Sequence, residues 1–169
     1  MPTLEDIRGL ALPVMQYNYE FIVPNLPGDS DSSSDTLRFL VNNCSIPSMS
    51  SEEIEVSHGG HVVNYAGRSM YGGRSFSAEF QDIEGMPIYT ALTEWHRVQW
   101  DRQTGAQRPK TEYATDVYIN VLNSNRSITN QYIMYGTWIS NIGAITLDGS
   151  SSAPVTISVD FKFDYFEVF

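Results

Sequence analysis

Several residues in this 169-residue chain have types and spacings that invite chemistry. His58 and His61 stand three apart, downstream of Glu52, Glu53 and Glu55, and all five are metal-ligand types. Zinc, however, takes at least three fixed protein ligands, and Gly59-Gly60 between the histidines is the signature of a tight hairpin turn. The pair therefore reads as flanking a turn, and no metal is expected. Gly67-Arg-Ser-Met-Tyr-Gly72-Gly73-Arg74 has the glycines of a phosphate-binding loop. It lacks the lysine and precedes a strand pattern where that motif requires a helix. Cys44 has no histidine context for a nucleophile and lies in a strand pattern, where a thiol packs as a small apolar group. His96 falls in a helical pattern and reads as a partly buried polar residue. The many carboxylates are scattered, which is the pattern of a solvated surface. No catalytic residue and no cofactor is expected.

Composition narrows the remaining classes. Hydrophobic residues make up 41% and charged residues 18%, enough for a packed core and too little charge for intrinsic disorder. Twenty acids against ten bases give a formal net charge of −10. With no basic run, a tight nucleic-acid reader is disfavoured, as is docking on anionic membranes. No apolar stretch approaches the ~18 residues of a spanning helix. The first ten residues contain Glu5 and Asp6 and no cationic stretch, so no signal peptide is expected there. The sequons Asn43-Cys-Ser and Asn125-Arg-Ser are accordingly expected to be unmodified. One cysteine excludes an internal disulfide. The charge is unevenly spread: residues 1–60 hold nine acids and two bases, 61–110 five and six, 111–169 six and two.

Strand patterns must position whatever surface does the work. Tyr17, Tyr19, Phe21 and Val23 alternate with Asn18, Glu20 and Ile22 up to Pro24, the pattern of a half-buried strand. Leu37, Phe39 and Val41 alternate, and Cys44 and Ile46 continue on the other parity, which predicts a bulge or break near Asn42-Asn43. Phe76, Ala78 and Phe80 form another alternating set, as do Val117, Ile119 and Val121. From Val155 to Tyr165 the alternation is longest. Val155, Ile157, Val159, Phe161, Phe163 and Tyr165 share a dry face, and Thr156, Ser158, Asp160, Lys162 and Asp164 a wet one. Pro87 opens one amphipathic helix, with Ile88, Ala91, Leu92, Trp95 and Val98 on one stripe and Thr93, Glu94 and Arg97 facing outward. Asn25 to Asp35 is rich in Ser, Asp, Gly and Pro and reads as a mobile surface loop. Many strands and one helix predict a sheet or barrel flanked by a helix.

The order of these blocks resembles the tail tube proteins of bacteriophages with contractile tails, a family related in fold to the tubes of phage-like contractile injection systems. The resemblance runs over roughly residues 17–169. It begins at Tyr19-Glu-Phe-Ile-Val and continues through Cys44-Ser-Ile-Pro-Ser and the acidic Glu52-Glu-Ile-Glu-Val. His58-Gly-Gly-His, Ala66-Gly-Arg and Arg74-Ser-Phe-Ser-Ala-Glu-Phe follow in order. The helix ending near Glu94-Trp95-His96 comes next, then Tyr113 opening a strand. Tyr135-Gly-Thr-Trp-Ile-Ser-Asn-Ile-Gly, Leu147-Asp148 and Val159-Asp-Phe-Lys-Phe-Asp-Tyr-Phe-Glu close the series. Two departures stand out: Ile139 follows the tryptophan where the family commonly has proline, and the loop from Asn25 to Asp35 is longer than usual.

The resemblance implies a mainly β subunit, a tail-tube-type barrel or sandwich with one flanking helix at about 86–100. The whole chain, 1–169, is then one tail tube domain. It has an N-terminal arm (1–16), a Ser/Asp-rich loop (24–36) and an extended loop or hairpin (47–75). It further implies a structural virion protein and not an enzyme. Six copies would form a ring whose inner strands join a large barrel, and rings would stack into the inner tail tube. Partners would be other copies of the chain, the tail sheath, the tape-measure protein, and baseplate and terminator proteins. Genomic DNA would pass through without specific binding, no membrane would be involved, and assembly would occur in the host bacterial cytoplasm. A baseplate tube initiator or a tail terminator of the same fold is the alternative, and a carbohydrate-binding tail-fibre sandwich a more distant one.

Within that frame the residues take expected roles. Asp160, Asp164, Glu20 and Glu79 are candidates to line the lumen, where carboxylates repel phosphate over about one Debye length, ~8 Å. Glu52, Glu53 and Glu55 are candidates to stack against Arg68, Arg74, Arg97, Arg102 or Arg108 of a neighbouring ring. The aromatics Trp138, Tyr135, Trp95, Phe161, Phe163 and Tyr165 divide between core and subunit interface. Tyr135 and Trp138 lie in a strand that is apolar on both faces, so both of its faces are expected to be covered.

Overall fold

Alternation along the strands puts one face of most of them into a common core. The computed structural model describes residues 13–28 and 40–169, together with Glu5 and Arg38. The expected arm over 1–16 and the loop over 24–36 therefore lie largely outside the described residues, as do Leu37 and Phe39. The strands are β1 (Tyr19–Ile22), β2 (Val41–Cys44), β3 (Met49–His58), β4 (His61–Tyr71), β5 (Ser75–Gln81), β6 (Thr115–Leu122), β7 (Ile128–Ile142), β8 (Thr156–Lys162) and β9 (Tyr165–Val168). Within residues 40–169 the α-helices are α1 (Pro87–Val98) and the single turn α2 (Lys110–Tyr113). The fold is mainly β.

Two antiparallel sheets share the long strand β7. Its first part pairs with β6 and β9, and β6 pairs with β1. Its last part pairs with β8, which continues to β5 and β2. The strand changes sheets at Gly136, where φ is +65° and a side chain would collide with the Asp164 carboxylate. Only glycine suits that position. The chain makes a second crossing after β8. There the expected continuous strand from Val155 to Tyr165 is broken: Phe163 and Asp164 form a corner, and β9 pairs in the other sheet. Tyr165 consequently leaves the dry face and is largely exposed.

Both sheets contribute to one aromatic core. Phe161 is fully buried, stacked on Phe76 at 5.0 Å and within about 6 Å of Phe21 and Trp95. Ile88, Ala91, Leu92 and Trp95 bury one stripe of α1, and the Trp95 indole N–H donates to the Tyr113 carbonyl at 2.8 Å. Tyr113 thus sits in α2 and not at the start of a strand, because residues 110–113 close a helical turn that receives Trp95. Thr93 and Glu94 are partly buried and do not face fully outward; the segment at Gly28 lies beside the Glu94 carbonyl.

The N-terminus of α1 has an indirect cap. Met86 precedes it with a left-handed backbone and no capping side chain. Asp82, 7% exposed, reaches back from the end of β5 instead. Its carboxylate accepts from the backbone N–H groups of Ile83, Ile88 and Tyr89 at 2.9, 3.3 and 3.0 Å. A carboxylate there satisfies donors that the helix leaves free and opposes the positive end of its dipole.

Candidate assembly interface

Three surfaces lie outside the core packing. The first is the hairpin of β3 and β4, which pair only with each other. Gly59 and Gly60, with φ of +58° and +83°, make the turn that sets His58 opposite His61. Among the described residues no group of three or more His, Cys, Asp and Glu converges. A bulge places Gly67 and Arg68 opposite Glu52. The register then assigns Glu52, Ile54 and Val56 to one face with Val63, Tyr65 and Met70, and Glu53 and Glu55 to the other with Asn64 and Ala66. Gly67 lies against both Glu52 and Ile54, which fits that assignment. Ile54, Val56, Val63 and Tyr65 are 46–57% exposed. The middle of this face is apolar, with Glu52 towards one end and the His58–His61 pair at the turn, and nothing in the described chain covers it.

The second surface is the outer face of the sheet β7–β8–β5–β2. It is carpeted with short polar side chains: Ser45, Ser77, Ser158, Asn43 and Asn141. Glu79 and Asp160 are diagonal neighbours on this face, because Ser77 pairs with Asp160 and Glu79 with Ser158. Their carboxylates accept from amides and not from cations. Asn43 Nδ2 donates to Glu79 Oε2 at 2.7 Å, and Asn141 Nδ2 to Asp160 Oδ2 at 3.2 Å. An amide orients a carboxylate and leaves its charge in place. The other two candidate acids sit elsewhere. Glu20 is on β1 in the opposite sheet and pairs with Arg38 at 2.8 Å, and Asp164 is at the corner and pairs with Lys110. The corner and the change of sheet are what separate Asp164 from Asp160.

The third surface is the segment after α1. Arg97 pairs with Glu94, and Arg108 with Glu112, whereas Arg68, Arg74 and Arg102 have no ion pair among the described residues. Trp100, 52% exposed, stands in this cationic segment. Sequence reasoning passed over it; its signal was a tryptophan just beyond the helical stripe, among arginines.

The candidate aromatics divide clearly. Trp95, Phe161 and Phe163 are buried. Trp138 is half-buried, edge-on to Tyr113 of α2 at 6.3 Å. Tyr135 stacks on Tyr165 at 4.7 Å and donates its hydroxyl to Glu167 at 3.2 Å; desolvation first, and then the Glu167 charge and this hydrogen bond, raise its pKa. An open groove of about 1080 Å³ lies between the edges of β1 and β2. Its lining holds the Glu20–Arg38 ion pair and Arg126, and burial pushes the Cys44 thiol up to about 11. A thiol in that state is a poor nucleophile at neutral pH.

The profile of the phage tail tube protein family matches residues 10–168. The tail tube protein of Serratia phage KSP90 is 22% identical over 129 residues, covering 76% of this chain and 71% of the relative. Among solved structures, the fold matches a chain of the sheath/tube terminator of the PVC extracellular contractile injection system, in the extended state. That match has a TM-score of 0.69 at 15% identity and covers 95% of this chain and 99% of the other. A chain of the sheath–tube complex of the same system matches with a TM-score of 0.67 at 14% identity, covering 100% and 99%.

Proposed function

The chain belongs to the phage tail tube protein family, structural proteins and not enzymes, and from that premise we propose that six copies form a ring and that rings stack into the inner tube of a tail. The observation that carries this reading is the β3–β4 hairpin. An isolated two-stranded ribbon is marginal in water, and one with five apolar side chains on an open face is stable in function only when another surface covers that face. A second copy is the partner that a self-assembling tube supplies.

The serine-rich face of the β7–β8–β5–β2 sheet is proposed to line the lumen, with Glu79 and Asp160 as its carboxylates. Short hydroxyls and amide-held acids dominate this face and Lys162, opposite Ser75, is the cation that β8 adds to it, so DNA would meet little that holds phosphate and would slide past. Glu20 and Asp164, each neutralised by a cation, are better suited to holding the subunit together. Ring stacking would set the hairpin acids Glu52, Glu53 and Glu55 against arginines of the next copy. Of the candidate arginines, Arg68, Arg74 and Arg102 are the ones without an ion pair in the described chain. Each exposed pair is worth only ~0.2–1 kcal/mol, so repetition round the ring would set register more than strength. The sheath outside the tube, the tape-measure protein within it and genomic DNA at ejection are the proposed partners, and the virion tail the proposed location.

Negative-stain electron microscopy of the purified chain over a concentration series tests the reading. Hollow tubes are the expected result. Six-fold rings that never stack would instead mark a terminator or initiator role for the same fold. A chain that stays monomeric at high concentration would overturn self-assembly.

A further inference from the structure

We infer that the loop after α1 is an anchor that seats Trp100 on the apolar face of the β3–β4 hairpin of a second copy, with Arg102 meeting that copy's Glu52. The inference rests on the self-assembly reading and assigns it a specific contact. Two chains of net charge −10 repel each other, so a contact between copies must bring local cations against local acids. Residues 97–110 gather four cations, of which Arg97, Arg108 and Lys110 already have carboxylate partners in their own chain. Arg102, exposed, has no ion pair among the described residues.

The loop is built to hold a shape. Trp100 and Gln107 form an antiparallel bridge, and Asp101 N–H donates to the Ala106 carbonyl at 3.0 Å. The Gly105 N–H returns to the Asp101 carbonyl at 2.9 Å, and the Arg108 N–H to the Gln99 carbonyl at 3.2 Å. The Asp101 carboxylate accepts from the backbone of Gln103 and Thr104 at 2.8 and 3.3 Å, spanning Arg102. An exposed tryptophan on an ordered loop loses little conformational freedom on docking, and tryptophan and arginine are the residue types that most often dominate interfaces.

The hairpin presents the complement. Its face of Ile54, Val56, Val63, Tyr65 and Met70 is open, and Glu52 lies on the same face beside Ile54. Apolar surface bounded by one acid fits an indole next but one to a guanidinium. Glu53 and Glu55 point to the other side of the ribbon and are free for a different neighbour.

The test measures the critical concentration for assembly by sedimentation, with electron microscopy of the pellets and circular dichroism to verify folding. Trp100→Ala is expected to raise the critical concentration at least tenfold with its thermal unfolding unchanged. Arg102→Glu and Glu52→Arg are each expected to raise it severalfold, and the double reversal to return it to within about threefold of the native value. Native-like assembly of Trp100→Ala, or a double reversal no better than either single change, would overturn this contact while leaving self-assembly standing. A native chain that never assembles would overturn both.

Discussion

Along β5 and along the β3–β4 hairpin the chain uses strand-forming residues of similar kind, yet they meet opposite fates. Phe76, Ala78 and Phe80 are at most 4% exposed, held between the two sheets. Ile54, Val56, Val63 and Tyr65 stand about half exposed on a ribbon that pairs with no other strand among the described residues. Burial of the first set stabilises the subunit by ~1.5–3 kcal/mol for each large side chain. Burial of the second set remains available to a surface outside the described chain. On the proposed self-assembly, the two regions divide folding from assembly, and substitutions in each should separate the two readouts.

Phe161→Ala should have the largest effect on the subunit. It removes the ring against which Phe21, Phe76 and Trp95 pack, and should cost about 3–5 kcal/mol in urea unfolding, with assembly lost as a consequence. Gly136→Ala should cost about 1–3 kcal/mol, because φ of +65° strains a side chain that must also displace Asp164. Asp82→Ala removes the cap of α1 and should cost about 1–2 kcal/mol, read as a lower thermal midpoint. Ile54→Ser with Tyr65→Ser sharpens the comparison most. Its effect on unfolding should stay within about 0.5 kcal/mol, while assembly disappears from sedimentation. A hairpin variant that unfolds as readily as Phe161→Ala would erase the distinction between the two regions.

How far the sequence could be read follows the range of the interactions. Alternation at Phe76, Ala78 and Phe80 and the stripe from Ile88 to Trp95 are local patterns, and both elements lie where those patterns put them. From Val155 to Tyr165 the same rule failed, because side-chain parity persists through Phe163-Asp164 while the backbone turns into the other sheet. Parity reports which side of a strand a residue occupies and carries no information about which sheet the strand joins. The proximity of Glu79 and Asp160 depends on the register of β5 with β8, a pairing 70 and more residues apart that no local pattern encodes. The Asp82 cap was hidden for another reason: it acts on α1 from outside the usual capping position. Trp100 was passed over because an interface anchor has no periodicity.

Gly136 and the corner at Phe163-Asp164 have a mechanical side. In a sandwich whose sheets touch only through side chains, a sliding force is resisted by packing, which yields as soon as the surfaces shift by the width of a methyl group. Here β7 passes from one sheet into the other, and β8 continues into β9 across the same divide. Sliding the sheets apart thus puts the main chain under tension at two places, and covalent bonds carry the load. In the proposed tube, a sudden pull along the axis would pass through each subunit without its two halves parting.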